Sequence, residues 1–301
     1  ADFPVLSTAA SLEVTQNGAL ETIGLDALTT VSDVLTFSEN PTLGTLDLPV
    51  LTDVGGVFGV ATHGVLLSLT CPSLTSVGDD VSIQNNSSLE TVDLSALTTT
   101  GTSGLSVTNN SQLQAVDLSA LTSVGGTVDF RDTISLTTFA LPSLLAVSSD
   151  VYFNDGGNGG GALNQASVDG LLVALAALDG TGGTTTFDNL EVNLSQGTNA
   201  MPSGAGLTAK ATLEGRGNTV TINRVFAITA VNTGTPSFTV SGDQTAYFTN
   251  GVTFVVFGST GNDATYTVVS SAFGAATVIT VDEAIPDGTV DGTIRVASSV
   301  P

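Results

Sequence analysis

The feature that most constrains this chain is a sequence repeat with a period of 23 or 24 residues. A long motif, L-x-x-φ-x-L-x-x-L-x-x-V with φ apolar, begins at Leu20, Leu43, Leu66, Leu89, Leu113 and Leu136. A shorter alternation, φ-x-φ, precedes it and begins at Leu12, Leu35, Phe58, Val81, Leu105, Val128 and Val151. Because both features keep one period, including its single one-residue insertion, we predict a solenoid of stacked turns.

The spacing within each turn predicts short strands. In φ-x-φ the two apolar residues, such as Leu105 and Val107, face the same side of an extended chain. The longer motif is too short for packed helices, and we expect short extended or irregular segments whose leucines enter a shared core. Residues 1–160 are therefore predicted to form a leucine-rich β-solenoid of about seven turns, stacked about 4.8 Å apart.

One polar position recurs inside this apolar pattern and is predicted to form a structural ladder. A primary amide both donates and accepts, so stacked asparagines can satisfy the backbone of their own turn and its neighbour. The same position holds His63, the only histidine, and we expect it to bond to backbone as well. The single cysteine, Cys71, occupies a leucine position and is predicted to be a core thiol. The asparagines of the ladder are Asn17, Asn40, Asn86 and Asn110.

The run L-T-S-V-G-D-D-V-S-I-Q-N-N-S-S-L-E-T-V-D-L, Leu74 to Leu94, resembles the leucine-rich repeat of receptor L domains and related cell-surface proteins. The resemblance covers about residues 12–153 and implies a repeat solenoid without specifying a ligand. The cysteine-rich modules that follow L domains in animal receptors are absent, so receptor function is not implied. The short leading segment, Ala1–Ser11, leads us to expect either that this edge docks on another subunit or that the native chain begins earlier.

Beyond Phe153 the pattern changes, and residues 161–223 are predicted to continue and cap the solenoid with two helix-bearing turns. Apolar residues from Val168 to Leu178 have helical spacing, and Pro202 can open a second helix that ends near Gly215. Strands are predicted at Leu190–Leu194 and Thr219–Ile222. A separate small α/β domain is the alternative interpretation.

Residues 224–301 are predicted to form a small all-β barrel or sandwich, because short apolar runs alternate with turn signals such as Asn250-Gly and Pro286-Asp-Gly. Two stretches, Asn193–Asn223 and Phe238–Gly251 together with Gly258–Val268, resemble modules of bacteriophage and other virion structural proteins, including tail fibres. This second resemblance covers about residues 193–301 and implies a virion setting. The predicted strands are Val225–Val231, Ser237–Val240, Ala246–Phe248, Val252–Phe257, Thr265–Ser270, Thr277–Val281 and Thr293–Val296.

Charge and composition exclude several classes of function. The chain has 28 acidic and five basic residues, so its net charge of −23 opposes binding to nucleic acid and anionic membranes. No apolar run has the roughly 20 residues that a membrane span needs. A single cysteine and a single histidine exclude a Cys/His zinc cluster and make a Ser-His-Asp arrangement improbable. We predict no catalytic residues and no cofactor.

Three sets of residues are weighed as sites. An aspartate column could cleave polysaccharide or bind a cation such as calcium, although stacked acids more often form a solvated face. A threonine column could order ice, or could simply suit a β-branched corner. Four acidic residues near the C-terminus are a calcium candidate without EF-hand spacing. The three sets are Asp47, Asp93 and Asp117; Thr29, Thr52, Thr75, Thr98 and Thr122; and Asp282, Glu283, Asp287 and Asp291.

The sequence thus leads to a non-enzymatic structural or adhesion protein, located in a virion or outside the cell. Its expected partners are further copies of itself, such as a trimer, other virion or surface proteins, and a host glycan or protein. The alternative is a secreted or cell-surface bacterial leucine-rich-repeat module that binds a protein. A minor alternative is a solenoid enzyme that cleaves polysaccharide. No membrane insertion is expected.

Overall fold

The computed structural model describes residues 1–154, 161–195, 197 and 199–299. The chain is mainly β and divides into two compact units, Ala1–Thr221 and Ile222–Pro301. The first is a parallel β-solenoid that carries two helices, and the second is a barrel. The predicted domain boundary at residue 160 lies outside the described residues.

The solenoid strands are short, because each turn has only two to five residues in extended pairing on any one side. They are numbered in chain order as β1 (Thr8–Ala9), β2 (Leu12–Thr15), β3 (Thr30–Val31), β4 (Leu35–Ser38), β5 (Thr45–Asp47), β6 (Asp53–Val54), β7 (Phe58–Ala61), β8 (Ser68–Thr70), β9 (Ser76–Val77), β10 (Asp80–Gln84), β11 (Thr91–Asp93), β12 (Thr99–Thr100), β13 (Gly104–Thr108), β14 (Ala115–Asp117), β15 (Ser123–Val124), β16 (Thr127–Asp129), β17 (Ala146–Val147), β18 (Val151–Tyr152) and β19 (Glu191–Leu194).

These strands stack into three parallel ladders, each joining equivalent positions of successive turns. The first runs β1-β3-β6-β9-β12-β15-β17, the second β2-β4-β7-β10-β13-β16-β18-β19, and the third β5-β8-β11-β14. The register equals the sequence period, so Val81 pairs with Phe58 on one side and with Leu105 on the other. The seven strands from β2 to β18 enclose about six turns of about 23 residues. The predicted number of turns, seven, equals the number of these strands, whereas six is the number of intervals between them.

The repeated leucines fill the space between the ladders. Leu43, Leu66, Leu89, Leu113 and Leu136 are all fully buried. A buried leucine contributes on the order of 2 kcal/mol, but only when the next turn covers it. Each turn therefore depends on its two neighbours, as expected for a solenoid.

A column of glycines lets neighbouring turns approach closely. A Cβ added to Gly78 would lie 2.1 Å from the carbonyl oxygen of Gly55. A Cβ on Gly101 would lie 2.0 Å from the carbonyl oxygen of Gly78, and the same crowding recurs at Gly125. A side chain at these glycines would collide with the backbone of the preceding turn, so glycine allows the close stacking seen there. The outer turns carry Ser32 and Ser148 at the equivalent position.

Two helices carry the solenoid beyond its regular turns. Helix α1 spans Gln165–Ala176, where the Asn164 side chain accepts a hydrogen bond from the Ser167 N–H and caps its start. Helix α2 spans Gly204–Gly215, and β19 between them joins the second ladder beside β18. Both helices lie where the apolar spacing predicts them. Neither helix in the described part of the chain is long and apolar enough to cross a membrane.

The second unit is a closed barrel, which decides between the two predicted all-β architectures. Its sheet runs β20-β21-β24-β23-β22-β25, and pairing between β20 and β25 closes it. The core is built around Phe238, Phe248, Phe254 and Tyr266. The predicted strand Ala246–Phe248 is wrong, because Thr245–Tyr247 form one turn of 3-10 helix that ends on the buried Phe248. The strands are β20 (Thr219–Asn232), β21 (Ser237–Ser241), β22 (Thr253–Phe257), β23 (Ala264–Phe273), β24 (Ala276–Val281) and β25 (Thr293–Ser299).

Candidate functional site

The four predicted ladder asparagines lie in one column, two residues beyond the ends of β2, β4, β10 and β13, and His63 takes the same position after β7. The Asn86 Oδ1 accepts the His63 N–H at 3.1 Å, and its Nδ2 donates to the Val60 carbonyl at 3.0 Å. Asn110 repeats this pattern one turn later, accepting the Asn86 N–H and donating to the Ile83 carbonyl. The amides of Asn40, Asn86 and Asn110 thus tie their turns to the preceding ones, and all three are fully buried.

The two residues with the greatest chemical reactivity are buried within the same framework. The His63 Nδ1 lies 2.7 Å from the Ala61 carbonyl oxygen, and burial lowers the pKa of the ring. The ring is therefore neutral near pH 7, with Nδ1 donating to Ala61. Burial, reinforced by the charges of Asp47 and Asp93, raises the pKa of the Cys71 thiol. Neither side chain is placed to act on a ligand.

Two further asparagines bond to backbone groups in the same way in the helix-bearing part, and the sequence repeat did not predict them. Asn199 accepts the Leu163 N–H and donates to the carbonyls of Phe153 and Leu194. Asn218 accepts the Leu190 N–H in the same manner. A sequence signal exists for Asn218, because it follows Gly217 in a left-handed conformation, as Asn86 follows the left-handed Asn85.

The threonine column is engaged with the backbone. Each hydroxyl donates to a carbonyl oxygen of the preceding turn, at 2.8 to 3.0 Å, and the chain of bonds runs Thr122 to Thr98, Thr98 to Thr75, Thr75 to Thr52, Thr52 to Thr29 and Thr29 to Ser7. These hydroxyl protons are therefore used within the protein, which favours the structural interpretation of the column over ice binding.

The aspartate column lies along the third ladder. Asp93 and Asp117 are register partners in β11 and β14, while Thr70 takes the equivalent place in β8 and donates to Asp47 at 2.6 Å. In each aspartate of the pair, Oδ1 accepts the N–H of the serine two residues ahead, at 3.0 Å from Ser95 and 2.9 Å from Ser119. The second oxygen of each has no protein partner among the described residues.

Beside this pair the third ladder stops and a groove of about 590 Å³ opens. The groove is lined by residues of β11 and β14 with their two aspartates, and by Thr138–Ala140 and Pro142 of the next turn. Ala166, Ser167 and Gly170 of helix α1 complete the lining. The lining is mostly small and apolar, and its charged groups are both carboxylates.

The groove follows from one large side chain and the helix beside it. Phe139 takes the position held by Leu69 and Val92 in regular turns, and its ring packs 4.8 Å from the rings of both Phe130 and Phe153. Its N–H donates to the buried Ser167 Oγ of α1 at 3.0 Å, where a regular turn would pair with the next turn. Thr138–Ala140 are thereby held away from β14.

The strand β14 consequently has an open edge. In the regular turns, Leu48, Cys71 and Leu94 each donate an N–H to the next turn, but the described residues contain no such bond from Leu118 to Ala140. Since the Asp117 carbonyl points to β11, the N–H and C=O of Val116 point the other way, toward the groove. Val116 is only partly buried, whereas Leu69 and Val92 are buried.

No family model matches this chain, and no curated protein or solved structure matches it. We therefore infer function from the columns, the groove and the surfaces of the molecule itself.

Three of the four calcium candidates have carboxylates that accept hydrogen bonds from threonines. Glu283 accepts the Thr267 N–H at 2.7 Å and its hydroxyl at 2.8 Å, which lowers the pKa of the carboxyl. Asp287 accepts the Thr289 hydroxyl and N–H, which lowers its pKa as well. Asp291 accepts from Thr260, and the Asp282 N–H donates to the Thr267 carbonyl. In the described ranges no group of three or more His, Cys, Asp or Glu is placed to hold a metal.

Proposed function

We propose that this protein is a non-enzymatic structural or adhesion protein, a homo-oligomeric subunit of a virion appendage or of an extracellular fibre. A phage tail fibre, tail tip or capsid decoration is the setting that the sequence resemblance favours. The solenoid acts as a rigid spacer, and its surface contacts other subunits or the host. The observation that carries this proposal is the uninterrupted pairing of the second ladder from β2 to β19.

Rigidity is supported by the side-chain columns that accompany the ladders. The threonine hydroxyls and the asparagine amides both bond to the backbone of the preceding turn. Opening one turn would break ladder bonds together with these column bonds. It would also expose fully buried leucines such as Leu89. Local opening is costly where so many buried contacts break together.

The geometry of the aspartate pair supports a role without catalysis. Asp93 and Asp117 lie on adjacent parallel strands at equivalent positions, and each is held by the serine N–H two residues ahead. Glycosidase carboxylates instead flank the scissile bond from opposite sides, with one of them held protonated by its surroundings. Asp93 and Asp117 lie side by side on adjacent strands, so they could not flank a bond from opposite sides.

Self-association is supported by the surface of the barrel. Val255, Val269, Phe273 and Val278 lie on the adjacent strands β22, β23 and β24, and each is 41 to 49% exposed. Exposed apolar side chains on neighbouring strands are typical of a surface that contacts another protein. With a net charge of −23, like-charge repulsion opposes association except where apolar area is buried.

The test is native mass by light scattering together with negative-stain imaging, over a wide range of protein concentration. We expect a defined trimer, ring or filament. The double variant Phe273→Ser, Val278→Ser should lower the native mass, while Val173→Ser, which changes an exposed residue of α1, should not. A monomer at every concentration would overturn the assembly proposal.

The groove favours a second candidate function, a secreted or surface module that binds a protein ligand. Such a module would be monomeric, which the same mass measurement detects. The polysaccharide-cleaving alternative predicts loss of activity in Asp93→Asn or Asp117→Asn. Assaying these variants on polysaccharides separates the enzyme alternative from the assembly subunit and from the protein-binding module.

A further inference from the structure

We propose that the groove between β14 and α1 binds an extended peptide that carries basic side chains, as an added strand on the open edge of β14. The proposal does not rest on self-assembly, because every residue of the groove belongs to one chain. It rests on the unpaired main chain, the charge of the walls and the glycine in the helix.

The open edge offers main-chain groups in the pattern of a strand. The Val116 N–H and C=O and the Leu118 N–H are the groups that a regular next turn would have paired. No described residue bonds to them on the groove side. Backbone groups beside an apolar groove need partners, and an added peptide strand supplies them in the correct alternation.

The charge of the walls selects a basic peptide. Asp93 and Asp117 are the charged residues of the lining, and each keeps one oxygen without a protein partner among the described residues. Side chains of an added strand project alternately, so those on one face come to lie along the aspartate column. Lysine or arginine there would pair with the carboxylates.

The same charge argues against a second copy of this chain as the occupant. The chain has only five basic residues. Arg131 pairs with Asp129, Lys210 with Glu214, and Arg216 lies 3.7 Å from Asp188. The other two, Arg224 and Arg295, lie over the rings of Tyr247 and Phe257. The occupant is therefore a segment of another protein.

The lining favours a peptide over a sugar. Sugar sites generally present an exposed aromatic face for stacking. The one aromatic residue of the lining, Phe139, is 5% exposed and packs its ring against Phe130 and Phe153 in the core. A groove of about 590 Å³ is within the range of ligand sites.

Gly170 keeps the groove open. It lies in the middle of α1, where glycine is less favourable than alanine by about 1 kcal/mol. A Cβ added there would meet no atom within 4 Å, so packing does not require a glycine. Because Gly170 lines the groove, its lack of a side chain preserves space for an occupant.

The experiment begins with a displayed library of random peptides about nine residues long, panned on the full chain with counter-selection on Gly170→Leu. Selected peptides are synthesised and their Kd values measured by fluorescence anisotropy at low and high salt. We expect sequences rich in lysine or arginine, bound about tenfold more weakly or worse by Gly170→Leu. Gly204→Leu is the matched control, because a Cβ there also meets open space and α2 is not part of the groove.

Three further measurements separate strand addition from simple charge attraction. N-methylation of alternate peptide amides should abolish binding in one register, because it removes the donors to the Val116 carbonyl. Peptide binding should slow hydrogen exchange at the N–H groups of Val116 and Leu118. The double variant Asp93→Asn, Asp117→Asn should weaken binding several-fold and flatten its salt dependence.

The proposal is overturned if no peptide distinguishes the native chain from Gly170→Leu, or if N-methylation has no effect in either register. Selection of acidic peptides, or tighter binding of neutral oligosaccharides, would also overturn it. Circular dichroism and thermal unfolding confirm that the variants are folded. The native mass of each sample is recorded in parallel, so that failure of the peptide site and failure of self-assembly remain distinguishable.

Discussion

The solenoid and the barrel satisfy the edges of their strands in opposite ways. In the solenoid, each strand pairs in parallel with strands one repeat away, and the same bonds recur through the regular turns. In the barrel, neighbouring strands run antiparallel with bulges, and pairing of β20 with β25 closes the sheet. One region repeats a small set of contacts, whereas the other gathers its large side chains into a single core.

This difference determines how the loss of stability on substitution should vary from position to position in each region. A solenoid is stabilised by the sum of its turns and of the interfaces between them, so equivalent positions should respond alike. A barrel core has no equivalent positions, and the cost of a change depends on the size of the side chain removed. Variants in the two regions therefore test whether columns or individual side chains carry the stability.

The largest effect is expected in the barrel core. Phe238 is fully buried, with its ring centroid 4.9 Å from that of Tyr266 and 6.0 Å from that of Phe254. Phe238→Ala should lower the free energy of unfolding of the barrel by about 3–5 kcal/mol, measured by chemical denaturation. Val278→Ala, at a residue 41% exposed, is the control and should change it by less than about 1 kcal/mol. Equal losses would show that the ring cluster is not the core.

The glycine column provides the next test, now in the solenoid. In Gly78→Ala the new methyl group would lie 2.1 Å from the Gly55 carbonyl oxygen and 2.8 Å from its carbonyl carbon, so backbone rather than a flexible side chain would have to move. We expect a loss of about 3 kcal/mol, and a similar loss for Gly101→Ala because the two positions are equivalent. Gly44→Ala is the matched control, since its Cβ meets no atom within 4 Å. Unequal responses at Gly78 and Gly101 would contradict the repeat-based account.

The asparagine ladder should give a somewhat smaller loss. Asn86→Ala leaves the buried His63 N–H and the Val60 carbonyl without their partners, and costs about 2–4 kcal/mol in the free energy of unfolding. Asn17→Ala removes the exposed end of the same column and should cost less than about 1 kcal/mol. Thermal and denaturant unfolding of both variants measure the difference. A similar loss of stability in the two variants would show that burial of the amide is not what makes Asn86 important.

The regular part of the solenoid could be predicted from sequence because its period is carried by leucines that all need burial. Both helices and most barrel strands could also be predicted, since their apolar spacing is local. The prediction of a strand at Ala246–Phe248 is wrong because three consecutive apolar or aromatic residues show no periodicity that separates a strand from a helical turn. The glycine column was missed because Val-Gly pairs such as Val54-Gly55 resemble ordinary turns.

The groove could not be predicted from sequence, because it depends on displacement between turns rather than on any motif. Phe139 fits the repeat as an apolar residue, and nothing in the pattern shows that its ring joins those of Phe130 and Phe153. The open edge of β14 also requires that Ser167 of α1 take the Phe139 N–H. The ring contacts join residues 9 and 14 positions apart, and the Ser167 bond joins residues 28 positions apart, so neither belongs to the 23-residue repeat.

The smallest predicted effect concerns an acidic residue inside the regular repeat. Asp80 lies at the start of β10, and burial together with the charge of Asp79 raises its pKa to about 6. A raised carboxyl pKa means that the folded protein holds this proton more tightly than the unfolded chain. Asp80 therefore costs nothing below about pH 4 and destabilises the fold increasingly as the pH rises toward about 6.

Asp80→Asn should accordingly be more stable than the native chain above pH 6, by about 1–2 kcal/mol because the side chain is partly solvated. The advantage should shrink as the pH falls toward about 4, and this difference is measured by denaturant unfolding of both proteins across the range. Asp79→Asn removes the neighbouring charge and should move the step toward acid pH. A constant difference at all pH values would mean that Asp80 ionises in the turn as easily as in the unfolded chain. The solenoid would then tolerate charge at this position, as it does along its exposed aspartate column.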